Sequence, residues 1–85
     1  MKTQKDSKGH IYVDVDNIRV TYIPARDRDA SKEWAGSDVI RVQSYKGPTD
    51  KSLHMGAEFP VATPEVFGQF VAGICQVYAE GRDAV

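Results

Sequence analysis

Residues 63–81 read TPEVFGQFVAGICQVYAEG, and this stretch decides the fold because it has two defined ends and a clear apolar face. Thr63 can cap the first turn with its hydroxyl group, Pro64 suits the first helical position, and Gly81 can end the helix in a left-handed turn. At about 100° per residue, the large apolar side chains form one broad stripe, which predicts a helix packed across a core. The broad stripe consists of Val66, Phe67, Phe70, Val71, Ile74, Val77 and Tyr78.

A second stripe, made only of small side chains, runs beside the broad stripe. Small residues at helical spacing let another backbone come close, so we expect this small stripe to be a dimer interface, most simply with a second copy across a two-fold axis. The alternative is that these residues only fit beneath a neighbouring loop or a curved sheet. The small stripe consists of Gly68, Ala72, Cys75 and Ala79.

The composition is that of one small domain with balanced charge. Its 85 residues include 11 basic and 12 acidic side chains, for a formal net charge of −1. Binding to nucleic acid would therefore need a local patch, because the whole molecule exerts no strong field. The single cysteine, Cys75, excludes an intrachain disulfide and is expected to be a small buried hydrophobe. The lack of a membrane-spanning run or a signal sequence predicts a cytoplasmic protein.

The chain before the helix begins with a predicted hairpin. From His10 onward, apolar and polar residues alternate, which is the pattern of a strand with one buried face, and a second run follows at residues 18–23. A two-residue turn at Asp16-Asn17 would place apolar residues opposite each other on one face. The same register places Asp14 opposite Arg19 on the other face, which supports the hairpin.

Two further strands are predicted after a long connection. Residues 38–45 and 53–61 alternate in the same way, and Pro60 marks an end or an edge position of the later strand. The connection over residues 24–37 is longer than an ordinary hairpin loop, and such loops in small domains are either functional or disordered. The sequence therefore predicts an α+β fold: a four-stranded antiparallel β-meander followed by one C-terminal α-helix (ββββα), which packs on one sheet face.

This predicted domain covers residues 10–81. Residues 1–9 are polar and contain three lysines, which predicts a disordered basic tail. Residues 82–85 are expected to fray at the end of the helix.

Signatures of catalysis and metal binding are missing from the sequence. It has no phosphate-binding glycine loop, no spaced Cys/His set and no nucleophile elbow. His10 and His54 are predicted on opposite edge strands, about 14 Å apart, which is too far to share an ion. We therefore expect no enzyme, no cofactor and no metal site.

The outward sheet face offers a different chemistry. Alternation places two tyrosines and two arginines on it, and the long loop can add three cations and a tryptophan at the rim. Aromatic rings that stack on bases and cations that meet phosphates are typical of single-stranded nucleic-acid binding, although Trp34 could equally pack against the core. The candidate binding residues are Tyr12, Arg19, Arg26, Arg28, Lys32, Trp34, Arg41 and Tyr45.

The junction between the last strand and the helix resembles a known family. Gly56-Ala-Glu-Phe59 followed by Thr63-Pro-Glu-Val-Phe67-x-x-Phe70 is similar to the single-stranded-DNA-binding domain of the transcriptional coactivator positive cofactor 4 and its whirly-like relatives. The order of elements agrees over about residues 10–80, whereas the residues agree only at this junction. The resemblance implies a homodimer whose helices help to form the interface and whose sheets bind single strands.

Two functions follow from these observations. The first is a small homodimeric regulatory module, for example in transcription, that binds single-stranded DNA or RNA through the outward face and the 24–37 loop. The second is a protein-interaction module, such as a small inhibitor, immunity or regulatory protein, in which the same aromatic and arginine residues bind another protein. Neither function involves catalysis or a membrane.

Overall fold

The computed structural model describes residues 1–84, which form one antiparallel sheet and one long helix. Within these residues the chain makes five strands that lie side by side in the order of the sequence. This is the α+β class that the sequence predicted, with one strand more than expected. The strands are β1 (Gln4–Lys5), β2 (Ile11–Val15), β3 (Ile18–Ile23), β4 (Val39–Ser44) and β5 (Ala57–Pro60), and the helix is α1 (Pro64–Asp83).

The hairpin of β2 and β3 has the predicted register. Val15 pairs with Ile18 and Asp14 with Arg19, so the connection is the two-residue turn. Asp16 adopts a positive φ of 55° in this turn, which aspartate tolerates better than most residues because its short side chain can bond locally. Turn chemistry and face pattern agree here, and their agreement fixes the register.

The segment expected to be a disordered tail, residues 1–9, contains the additional strand β1, which pairs with the start of β2. The carboxylate of Asp6 holds the connecting turn by accepting the backbone N–H groups of Lys8 and His10, each at 2.9 Å. Gly9 completes the turn with a positive φ of 84°. Local hydrogen bonds thus order a segment that has no apolar anchor, and the Asp and Gly were the signal for it.

The last predicted strand, residues 53–61, is interrupted by a β-bulge. Before β5 begins, Leu53 makes an isolated bridge to Tyr45. The register shifts by one residue between this bridge and the pairs of β4 with β5, which requires one extra residue in the segment. Met55, which simple alternation with Leu53 and Phe59 would turn inward, is 99% exposed. Gly56 lies so close to a main-chain carbonyl of β4 that a Cβ atom would clash with it.

Two of the buried apolar residues, Ile23 and Val39, lie beneath the long connection, and Val61, 8% exposed, lies where the helix begins. This connection contains a short 3₁₀ turn at Ala25–Asp27 and is hydrogen-bonded to the sheet. Ile23 and Val39 pair across β3 and β4 and are 3% and 0% exposed, and Thr21 is 3% exposed. Alternation places these three residues on the face of Arg41. The face expected to meet solvent is therefore covered at this end of the sheet.

The helix α1 begins as the sequence predicts. Thr63 is the N-cap, and its hydroxyl accepts the backbone N–H of Val66 at 3.2 Å. Pro64 occupies the first turn, where its missing N–H leaves no bond unmade. Within residues 1–84, no helix is long and apolar enough to cross a bilayer.

The helix ends later than predicted. Gly81 lies within α1 and does not adopt the expected left-handed conformation, and the helix continues to Asp83. A glycine inside a helix costs only about 1 kcal/mol relative to alanine, so the neighbouring residues can carry the helix through it. Of residues 82–85, which were expected to fray, the first two are helical, and Val85 lies outside the described residues.

Most of α1 does not pack on the sheet. Phe70 packs on Phe59 of β5, with ring centroids 5.0 Å apart, but no residue of Pro64–Asp83 is buried. Exposure of the broad stripe rises along the helix, from 43% at Phe67 to 74% at Val77. The expectation that the broad stripe covers the chain's own sheet is therefore wrong for most of its residues.

Candidate functional site

One face of the sheet carries nearly all of its polar side chains, and we call it the polar face. The pairs of β2, β3 and β4 place these side chains in two neighbouring rows, about 7 Å apart along the strands. The opposite face carries the apolar members of the same strands, and we call it the apolar face. The polar face consists of Tyr12, Asp14, Arg19, Arg41, Gln43, Tyr45 and Glu58, together with the covered core residues at one end.

Arg19 is the centre of the first cluster on the polar face. Its guanidinium group lies 3.9 Å from the centroid of the Tyr12 ring and 5.6 Å from that of the Tyr45 ring. It donates to Asp14 from Nε at 2.9 Å and to the Tyr45 hydroxyl at 2.7 Å. The Tyr45 hydroxyl donates in turn to Asp14 at 2.8 Å. The structure therefore brings three of the predicted binding residues together around Asp14, which the predicted register had placed opposite Arg19.

This cluster is held together by charge as well as by stacking. The hydrogen bond from Arg19 lowers the pKa of Asp14 against the opposing effect of burial, and the Tyr45 hydroxyl adds to the lowering. The bond to Asp14 raises the pKa of Tyr45. A cation over an aromatic face contributes about 0.5–1 kcal/mol at an exposed site. Arg19 therefore acts first as a structural cation, already neutralised by its carboxylate.

A second cluster forms around Glu58, which is paired with two arginines. Arg28 from the long connection donates to both carboxylate oxygens, at 2.9 and 2.6 Å, and Arg41 of β4 donates at 2.9 Å. The hydrogen bond from Arg28 is the main cause of the lowered pKa of Glu58, and Arg41 adds to it. Arg28 also donates twice to the Glu33 carbonyl. Its side chain is only 6% exposed, so Arg28 fastens the loop to the sheet and is not open to a ligand.

His10 joins the connection to the N-terminal turn. The residue is buried, and its Nε2 lies 3.1 Å from a carboxylate oxygen of Asp27, while Nδ1 lies 3.7 Å from Asp6. These three residues border a polar cleft of about 560 Å³ that Lys32 and Arg41 also line. The sequence reading missed the buried role of His10, because alternation alone did not show that a loop would cover this face.

The remaining predicted residues lie in the long connection and differ in where they stand relative to the polar face. The side chain of Arg26 is 84% exposed, and Lys32 is exposed beside the cleft. Trp34 is 47% exposed and adopts a positive φ of 63°, which is unusual for a bulky residue. Lys51 was not predicted, yet its ammonium group lies 5.7 Å from the Tyr45 ring centroid. Lys32 and Lys51 therefore add cations beside the polar face, whereas Arg26 lies with Tyr22 and Asp38 at the end of the strands.

The small stripe of the helix is open to solvent along its whole length. Cys75, expected to be buried, is exposed and has a free thiol, and a Cβ atom at Gly68 would meet nothing within 4 Å. Ala72 and Ala79 are exposed as well. The alternative reading, in which these residues fit under a loop or sheet of the same chain, is therefore wrong for this structure.

Comparison with models of protein families, with curated proteins and with solved structures found no match. The function must therefore be argued from the geometry of the chain. Within residues 1–84, no group of three or more His, Cys, Asp or Glu side chains is arranged to hold a metal ion. The open part of the polar face offers stacking and hydrogen bonding.

Proposed function

We propose that this protein is a small homodimeric module that binds single-stranded nucleic acid through the polar face and the 24–37 loop. The observation that carries the proposal is the row formed by Tyr12, Arg19 and Tyr45, with Lys51 beside it. Bases stack on aromatic rings and guanidinium planes regardless of sequence, with about 1–3 kcal/mol for each stacked base. A regulatory role, for example in transcription, accords with the resemblance to positive cofactor 4.

The cations that would meet phosphates are those outside the two clusters. Within the described residues, Lys32 and Lys51 make no ion pair, and Arg26 is almost fully exposed. Lys32 lines the cleft beside Arg41 and Lys51 lies beside Tyr45, where a strand crossing the tyrosine row would place its backbone. Arg28 and Arg41 share Glu58 and are assigned a structural role instead.

The homodimer part of the proposal is supported by the helix. Its small stripe and most of its broad stripe are exposed. Helices in proteins are stabilised mainly by packing of their apolar face, and this helix buries none of its residues within the chain. Two copies joined through their helices would each keep the polar face outward, because that face lies on the far side of the sheet.

The test is fluorescence anisotropy of a labelled oligo(dT) of about 20 nucleotides, titrated at about 50 and 200 mM salt. Affinity should fall with salt, as it does when cations displace counterions. Tyr12→Ala should weaken binding about 5- to 150-fold through lost stacking, and Lys51→Ala should reduce the salt slope by about one. Arg82→Ala on the helix is the charge-matched control and should leave binding unchanged. Absence of binding to DNA and RNA oligonucleotides at low salt would refute this function.

A different observation favours a second function, binding to another protein. Arg19 and Arg41 are neutralised by Asp14 and Glu58, so the polar face is balanced in charge rather than strongly positive. Balanced Tyr and Arg surfaces suit a folded protein partner, for which these residue types are frequent hot spots. In that case the oligonucleotide titration gives no binding, and no catalysis is involved in either function.

A further inference from the structure

The apolar face of the sheet is uncovered over β2 and the near end of β3. Ile11 and Val15 of β2 are 49% and 43% exposed, and Ile18 and Tyr22 of β3 are each 40% exposed. Their strand pairs place them on one face, opposite the two clusters. β-branched side chains on a regular sheet normally pack against a second layer, and residues 1–84 form no such layer above Ile11, Val15 and Ile18.

The second half of the helix also exposes large apolar side chains. Its first half contacts the chain's own sheet through Phe70, and Phe67 lines a cavity of about 380 Å³ together with Tyr22 and Ile40. Its second half has no such cover: Ile74 is 55%, Val77 74% and Tyr78 65% exposed. A helix of 20 residues is about 30 Å long, so it is long enough to extend well beyond one sheet.

The accessible surface of the chain is larger than that of a compact protein of the same mass, and the difference estimates the area that a partner would bury. The chain exposes 6574 Å², whereas a compact protein of 9.4 kDa should expose about 5,000 Å². Its radius of gyration of 14.4 Å likewise exceeds the value of about 12 Å expected for its length. The excess of roughly 1,500 Å² per chain is what each partner buries in an obligate homodimer, where the total runs from about 2,000 to 5,000 Å².

We infer that a second copy of this chain covers both surfaces by exchange, with the C-terminal half of each helix lying on the apolar face of the partner sheet. The inference rests on the proposed homodimer and specifies its interface. Each copy has one uncovered sheet region and one uncovered half-helix, so a two-fold arrangement fills both at once. Contact through the small stripes alone would leave Ile11, Val15 and Ile18 in water.

Two variants test the exchange, Ile74→Glu on the helix and Ile18→Glu on the sheet. Each places a carboxylate in both contacts of the dimer and should weaken self-association about 100-fold or more. When the two variants are mixed, they can form a heterodimer. One of its contacts joins an unchanged helix to an unchanged sheet, and the other joins the substituted helix to the substituted sheet. The mixture should therefore dimerise more tightly than either variant alone. Light scattering and sedimentation over about 1–200 µM would measure this.

The controls are Gln76→Glu, on the polar side of the helix, and Gln43→Glu, on the polar face, both of which should leave the mass unchanged. A wild type that stays monomeric at 200 µM would overturn both the exchange and the proposed homodimer. A dimeric wild type that tolerates Ile18→Glu, or a mixture that shows no rescue, would overturn the exchange while leaving the homodimer in place. Circular dichroism of each variant separates lost association from lost folding.

Discussion

Arg28 contributes more to this fold than its position in a charged loop indicates. The sequence predicts it as one of several loop cations that bind a ligand, yet its guanidinium group donates hydrogen bonds to Glu58 and to the Glu33 carbonyl. A planar group with five N–H donors suits this double role, because it can hold a carboxylate and a carbonyl in fixed directions. The loop that covers Ile23 and Val39 is fastened at this point.

Replacing Arg28 with alanine should therefore lower the free energy of unfolding by about 1–2 kcal/mol, because it removes hydrogen bonds to a charged group while Glu58 keeps Arg41 as a partner. Urea unfolding followed by circular dichroism measures the change. Arg26→Ala is the matched control from the same loop, and with its side chain 84% exposed it should change stability by no more than about 0.5 kcal/mol. Equal effects of the two substitutions would show that the loop is not fastened by Arg28.

Among the elements, the hairpin and the start of the helix could be predicted, and the helix packing could not. The turn at Asp16-Asn17 and the cap at Thr63 depend on neighbours a few residues away, and their chemistry is visible in the sequence. The bulge at Gly56 depends on a carbonyl of another strand, which alternation alone does not reveal. The covering of Thr21 and Val39 by a loop likewise depends on long-range pairing through Arg28.

The helix end gives a prediction at the same scale. Gly81 is helical, so Gly81→Ala should raise stability by about 0.5–1 kcal/mol by removing backbone freedom from the unfolded chain. Gly36 has a positive φ of 82°, so Gly36→Ala should instead lower stability, by about 1 kcal/mol. Thermal unfolding of both variants gives the two signs. A loss of stability in Gly81→Ala would mean that this glycine ends the helix, as its sequence position suggested.

For the whole molecule, the two carboxylate clusters determine how stability depends on pH. The pKa values of Asp14 and Glu58 are lowered in the folded protein, while in the unfolded chain they are about 3.9 and 4.3. Their contribution is therefore fully present above about pH 5 and is lost as the pH falls through the lower folded values. The same ion pairs neutralise the arginines of the polar face.

The urea midpoint should be nearly constant from about pH 7 to 5 and should fall steadily below about pH 4.5. Glu58→Gln should be less stable than wild type at pH 7, and the two curves should converge as the pH falls through the lowered folded pKa of Glu58. Glu33→Gln, which changes a loop carboxylate outside both clusters, serves as the control. Parallel curves for wild type and Glu58→Gln across the acid range would contradict this assignment.

The two-residue strand β1 has a consequence for how copies of this protein can meet. It occupies only the first two positions along β2, and at the other margin β5 ends in Pro60, which has no N–H to donate. Very short edge strands and proline hinder the pairing of a sheet edge with a strand from another molecule. Lateral growth into a continuous, amyloid-like ribbon is thus disfavoured at both margins, so the proposed homodimer, joined through its faces and helices, would have little competition from edge pairing.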